Sequence, residues 1–246
     1  GFLNPYIEAG INQGTRDITV EMGETILMWA GWGRAFDIRV LKVKLVDRGG
    51  ITLGSIPEVA FSISGDALLE GKLAPKTIDL FGPTLRFRRD RDGSIDVGFV
   101  ARDRQSKAFA LGLVNTMFDH GQQTHSLSYL TRVSIIGADI TIADQVLKKS
   151  WHMPTANLEI QRFIDRLKGE MSLVLDVGEQ QTEFDFNVEY MTQSRQIKLR
   201  VDFDNASPSM FAGITNGLAP LKHLDMPLGG EIFLSMPVNG EIDQVG

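Results

Sequence analysis

The chain has 246 residues, 43% of them hydrophobic and 23% charged, with no cysteine and a formal net charge of −6. At roughly 150 residues per domain this is one large domain or two small ones, and the composition is that of a chain with a buried core. Lack of cysteine excludes disulfides, thiolate metal sites and a cysteine nucleophile, and a pI near 5.3 argues against general nucleic-acid binding.

Residue 1 is glycine rather than methionine, so the chain is expected to be an excised or processed piece, with any signal or anchor lying before it. Residues 2–13 predict a short helix, with Asn4 as N-cap, Pro5 in the first turn, and Phe2, Tyr6 and Ile7 on one face. Period two then takes over. Ile18, Val20 and Met22 alternate with Asp17, Thr19 and Glu21, and Phe36, Ile38 and Val40 alternate with Asp37 and Arg39. The phase slips by one to Leu41, Val43 and Leu45, with Lys42 and Lys44 between them, which predicts a β-bulge. Ile78 and Leu80 continue the pattern, followed by Leu85 and Phe87 between Arg86 and Arg88. A short helical turn is expected near 65–70. Residues 105–119 make the best helix, with Ala110, Leu111, Leu113, Val114, Met117 and Phe118 on a broad apolar stripe, and 119–128 is a polar connection.

In the second half the alternation is cleaner. Met171, Leu173, Leu175 and Val177 form one set. Phe184, Phe186, Val188 and Tyr190 alternate with Glu183, Asp185, Asn187 and Glu189; Ile197, Leu199, Val201 and Phe203 alternate with Lys198, Arg200 and Asp202. Turn residues separate the strands at Arg48-Gly49-Gly50, Arg91-Asp92-Gly93-Ser94, Val177-Gly178-Glu179 and Thr192-Gln193-Ser194, and short helical turns are expected near 206–222. The fold class is mainly β, an antiparallel meander with a few short helices. It forms one continuous region over 1–246, with sections 1–104 and 128–246 joined by the helix and connection at 105–127. So many one-sided strands carry more apolar face than one or two helices can cover. The sheet must therefore fold onto itself as a sandwich, a barrel or a curled, taco-like groove. The first two fill the space with side chains; the third leaves an apolar trough able to hold a lipid chain.

Catalytic and metal chemistry finds little support. His120 and His125 are five apart, not the four that puts two imidazoles on one helical face, and His152 and His223 have no evident carboxylate partner. There is no HExxH, GxSxG, GxGxxG or GxxxxGK[ST] motif. Asp90-Arg91-Asp92-Gly93-Ser94-Ile95 resembles the middle of a calcium loop, but its first and twelfth positions would be Arg88 and Phe99, so it reads as a hairpin turn. Arg86, Arg88, Arg89 and Arg91 read as a solvated strand face or a phosphate contact. Trp29 and Trp32 read as core or sheet-edge aromatics or as membrane-interface residues. No stretch approaches 18 consecutive apolar residues. We expect no catalytic residue, no metal and no cofactor.

Several stretches in order resemble the AsmA-like family of bacterial envelope proteins, in particular its YhdP and TamB relatives. They are Leu3-Asn4-Pro5-Tyr6-Ile7-Glu8; Asp37-Ile38-Arg39-Val40 with Val46-Asp47-Arg48-Gly49-Gly50; and Leu73-Ala74-Pro75-Lys76-Thr77-Ile78-Asp79-Leu80 with Pro83-Thr84-Leu85-Arg86-Phe87-Arg88-Arg89-Asp90 and Asp92-Gly93. Ile136-Gly137-Ala138-Asp139-Ile140-Thr141-Ile142-Ala143-Asp144, Trp151 and Leu224-Asp225-Met226-Pro227-Leu228-Gly229-Gly230 continue it, so the likeness spans nearly the whole chain.

The resemblance implies a repeating β-groove protein of the bacterial periplasm, tethered to the inner membrane through an anchor outside this chain. Such proteins carry phospholipid between the membranes along a hydrophobic trough and support outer-membrane lipid homeostasis. Lipid passage needs a continuous apolar path and an open side for hydrated head groups, not an acid, a base or a metal. The expected lining is Met171, Leu173, Leu175, Phe184, Phe186, Val188, Ile197, Leu199 and Val201, with phospholipid acyl chains as the partner. The alternative function is a non-enzymatic scaffold that binds other envelope proteins through exposed strands and helps outer-membrane assembly.

Overall fold

A computed structural model describes residues 18–28, 36–47, 52–90, 95–97, 126–146, 148–177, 180–212 and 216–237. Strands β1 (Ile18–Glu21) and β2 (Thr25–Met28) lie end to end along β3 (Asp37–Asp47), which pairs antiparallel with β4 (Thr52–Ile63). A short helix α1 (Gly65–Leu69) follows, N-capped by Ser64, whose Oγ accepts from the Ala67 amide at 3.3 Å. Next come β5 (Pro75–Phe81), β6 (Thr84–Arg89) and β7 (Ile95–Val97). A 3-10 turn at Ser126–Tyr129 leads into a run of long strands: β8 (Arg132–Asp144), β9 (Lys149–Arg162), β10 (Arg166–Val177), β11 (Gln180–Met191) and β12 (Gln196–Ala206). Two 3-10 segments, Pro208–Phe211 and Asn216–His223, precede the last strand, β13 (Leu228–Pro237).

The thirteen strands of the described residues belong to one sheet. Strands β8 to β12 form an antiparallel meander in which each strand pairs with the next in sequence, and β13 extends it after the two 3-10 segments. The meander is broken at one place. Strands β5 and β6 both run parallel to β8, pairing Ile78 with Val133 and Leu85 with Ile140. The helices predicted over 2–13 and 105–119 lie outside the described residues, as do Trp29, Trp32, His120, His125 and the turns at 48–50 and 91–94. Among the described residues no helix is long and apolar enough to cross a membrane.

Residues directly opposite each other in neighbouring strands project to the same side of a sheet, so the register decides which face each apolar set occupies. Here the sets coincide from strand to strand. Leu27 faces Ile38, Ile38 faces Phe61, and Phe61 faces Ile78. Ile78 faces Val133, and Val133 faces Ile160. Leu158 faces Met171, Met171 faces Phe186, Phe186 faces Val201, and Val201 faces Ile232. The row steps two residues along β9, from Ile160, which is opposite Gly169, to Leu158, so that apolar residues share one face from β2 to β13.

Keeping this face apolar over long strands requires a phase slip, and it occurs along a line. In β3 the inward set changes from Ile38 and Val40 to Val43, across Lys42, which takes a left-handed φ of 55°. In β4 it changes from Phe61 and Val59 to Ile56, across Pro57. The predicted bulge therefore takes another form at this point. Both strands slip together, so Leu41 stays opposite Glu58 and Val43 opposite Ile56 without loss of register. The break between β5 and β6 falls at Gly82 and Pro83. In β8 the slip falls around Gly137 (φ 65°), whose amide donates to Asn157 Oδ1 at 2.8 Å, and in β9 between Ala156 and Met153. The register shift between β9 and β10 ends the line, and β10 to β12 alternate without interruption.

The slips bring both parities of apolar residue together. Val40, Val43, Ile56 and Val59 form one buried cluster, joined by Met22, Ile38, Phe61, Ile78 and Leu80. Leu130 and Leu167 form a second with Ile78, Val133, Ile160 and Tyr190. Met153 and Leu175 form a third with Ile140, Ile142, Trp151, Leu173 and Phe184.

Two stability predictions follow from this packing. Nothing lies within 4 Å of a Cβ placed on Gly137, so the cost of a side chain there is backbone strain alone. Gly137→Val should lower unfolding free energy by about 1–2 kcal/mol in urea titration; an unchanged midpoint would mean that the slip tolerates an L side chain. Leu130 is fully buried. Leu130→Ala should cost about 2–5 kcal/mol in the same assay, and a loss below about 1 kcal/mol would show that it is not part of the core.

Candidate functional site

The expected lining residues fall on one face of β10 to β12. Met171 is opposite Phe186, and Leu173 opposite Phe184. Phe186 is opposite Val201, Val188 opposite Leu199, and Tyr190 opposite Ile197. Leu175 is opposite Thr182, whose hydroxyl is buried and donates to the Asn205 carbonyl at 2.9 Å, so it leaves no open polar group there. The Phe184 and Phe186 rings stack at 6.1 Å between centroids. Strand β13 carries the face further, with Ile232, Leu234 and Met236 opposite Val201, Leu199 and Ile197.

Exposure rises along this path. Leu175 is buried; Met171, Leu173, Phe184, Phe186, Ile197, Leu199 and Val201 are half-buried; Val188 is 36% exposed; and Ile232, Leu234 and Met236 are exposed. Among the described residues there is one sheet and no second sheet facing it, and no pairing joins β1 or β2 to β13. The apolar face around β11 to β13 is therefore not the inside of a described sandwich or closed barrel.

The opposite face is wet. Arg39 pairs with Glu58 at 2.7 Å, Arg132 with Asp79 at 3.2 Å, and Arg200 with Asp202 at 2.9 Å and Glu231 at 3.2 Å. In the basic run Arg88 meets Asp90 at 3.1 Å, while Arg89, on the apolar side with Leu85 and Phe87, meets the buried Asp144 at 3.2 Å. Two arginines that the sequence left open as phosphate contacts are thus held by carboxylates. A hollow bounded by Gln181, Glu183, Asp204, Asn205, Pro227, Leu228 and Gly229 is mostly polar.

This face also holds a group that the sequence did not pair. His152 on β9 bridges two strands: Nδ1 lies 2.7 Å from Asp176 Oδ2 on β10, and Nε2 lies 3.4 Å from Asp139 Oδ1 on β8. Gln181 donates to the second Asp176 oxygen at 3.0 Å. The spacing of His152 from its partners, 24 residues to Asp176, has no sequence signature; only the strand register brings them together. Both imidazole nitrogens face carboxylates, so the trio is an ion-pair clasp and not a ligand set. Among the described residues no group of three His, Asp or Glu is placed to hold a metal.

Comparison with family models, with curated proteins and with solved structures finds no match to this chain.

The clasp makes a signed prediction about pH. The Asp176 hydrogen bond foremost, helped by Asp139, holds the His152 pKa above its ordinary value. Its contribution is therefore complete below the unfolded histidine value, about 6.5, and is lost as pH rises through the folded value. Gln181 and then His152 hold Asp176 below the usual carboxylate range, so its share is lost as pH falls through that depressed value. An NMR titration should place the His152 midpoint above about 6.5, and Asp176→Asn should lower it. A midpoint at or below the ordinary value, unmoved by Asp176→Asn, would show that the clasp does not form in solution.

Proposed function

We propose that the chain is a phospholipid conduit, a lipid-transfer module of a protein anchored in the bacterial inner membrane and reaching through the periplasm to support outer-membrane lipid homeostasis. The observation that carries this reading is the apolar row that stays on one side of a single sheet from Leu27 to Ile232, with no described layer over its β11–β13 end. Each methylene that leaves water on such a surface contributes about 0.8 kcal/mol, so an acyl chain along several strands is held without any polar contact. Movement along the row exchanges one apolar contact for another, which suits passage better than a closed pocket would. The order of the stretches that resemble the AsmA-like family supports the same reading, and the proposed compartment and membrane tether rest on that resemblance alone.

The second reading, a scaffold for outer-membrane assembly, rests on β13. Phe233 stands 61% exposed on the otherwise charged face, opposite Arg200, while Ile232 and Leu234 are exposed on the other. An edge strand with an apolar face and an exposed aromatic on its reverse is suited to pairing with another strand.

Phe186 and Leu199 stand mid-strand on the apolar row, so a carboxylate at each tests the conduit directly. In an open groove water reaches the new charges, and the fold survives while bound lipid falls several-fold. In a packed core an unpaired carboxylate costs several kcal/mol and the protein unfolds. The measurement is circular dichroism melting of the Phe186→Asp, Leu199→Asp variant, with phospholipid stoichiometry from organic extraction. A folded variant with undiminished lipid would contradict the role given to these residues.

A further inference from the structure

One end of the apolar face carries two cations where the alternation calls for apolar side chains. Along β5, Lys76 shares the parity of Ile78 and Leu80; along β9, Arg162 shares that of Leu158 and Ile160 and sits opposite Leu167. They lie abreast with only Thr131 between them. The Thr131 amide donates to the Lys76 carbonyl at 2.8 Å, and the Arg162 amide donates to the Thr131 carbonyl at 2.8 Å. Two strand spacings, about 9.5 Å, thus separate the two backbones, and both side chains are long enough to converge on one anion. Thr131 does not compete for it, because its hydroxyl donates to the Lys76 carbonyl at 3.1 Å.

Arg162 donates from Nη2 to the Ser128 carbonyl, which leaves most of its five N–H groups free. Among the described residues neither Arg162 nor Lys76 has a carboxylate within ion-pairing distance, whereas Arg39, Arg132 and Arg200 on the opposite face each have one, and so does Arg89, the other cation on the apolar side. Burial pushes the Arg162 guanidinium below its usual value, the mark of a charge taken partly out of water without a counter-charge. Leu167 and Ile160 stand beside it. Such a place suits an anion that arrives attached to hydrocarbon.

We infer that Lys76 and Arg162 form a phosphate-binding site at one end of the apolar face, taking the phosphate of a phospholipid. The planar guanidinium matches two phosphate oxygens at once, and the ammonium adds a movable point charge. The inference rests on the conduit reading and specifies which part of the lipid is held and where.

The test uses the full chain with three probes in calorimetric titration: dihexanoyl phosphatidylglycerol, dihexanoylglycerol and inorganic phosphate. The expected result is that Arg162→Gln and Lys76→Gln each weaken phosphatidylglycerol binding about tenfold and leave dihexanoylglycerol binding unchanged, and that phosphate alone binds far more weakly. Phosphatidylglycerol binding equal in wild type and both variants would overturn the site while leaving the conduit standing. Failure of the wild type to bind either lipid would overturn the conduit as well. Phosphate bound as tightly as the phospholipid, with the same losses, would overturn the lipid as source and leave a site for free phosphate. If Arg162→Gln does not melt cooperatively, Lys76→Gln and Arg162→Lys decide the question: both must melt cooperatively, the first must weaken phosphatidylglycerol binding about tenfold, and the second must weaken it as well, and undiminished binding by both would overturn the site.

Discussion

The constraint on which this molecule depends is the two-residue period of the pleat. Residues opposite each other across a strand pair share a face, so thirteen strands can present one apolar surface only if every pairing holds its register. A single-residue slip in one strand alone would turn its valines and isoleucines to water. The molecule meets the constraint in two ways. Strands β10 to β12 alternate strictly, with Met171, Phe186 and Val201 abreast. Strands β3, β4, β8 and β9 change parity, and they do so at neighbouring points, so the change in one strand is matched in the next.

The line of slips has a cost and a use. Lys42 and Gly137 occupy the left-handed region, which is unfavourable for a lysine and free of side-chain clash for a glycine. In return, Val40 and Val43, three apart, enter one cluster with Ile56 and Val59, also three apart. The densest packing in the sheet thus sits beside the slip, while the strictly alternating strands further on are less buried. The core is concentrated at one part of the face and the more accessible apolar surface at the other, an arrangement in which a ligand can occupy the second without disturbing the first.

Much of this was legible in the residues. The alternating sets at 171–177, 184–190 and 197–203 gave the strands and their wet and dry sides, because a strand with one buried face must alternate. The slip after Val40 was visible as a change of phase, but its partner in β4 was not, since Pro57 only acquires meaning opposite Lys42. The parallel pairing of β8 with β5 and β6 has no local signal; it depends on where the chain returns after β7. His152 shows the same limit from the side of chemistry. Its carboxylate partners are defined by register across three strands, and a lone histidine in a threonine- and proline-containing strand gives no hint of them. Lys76 and Arg162 were hidden for the opposite reason, since a charge at the end of a strand is ordinary until the register puts two of them on the apolar side.

The central claim is that the face bearing Phe186, Val188 and Leu199 meets lipid while its reverse meets water. Photocrosslinking tests it residue by residue. A photoreactive amino acid at Phe186, Val188 or Leu199 should label phospholipid in a bacterial envelope preparation, and the same group at Asp185, Glu189 or Arg200, one position away, should not. Labelling that ignores the alternation, or that is absent from all six positions, would contradict the account.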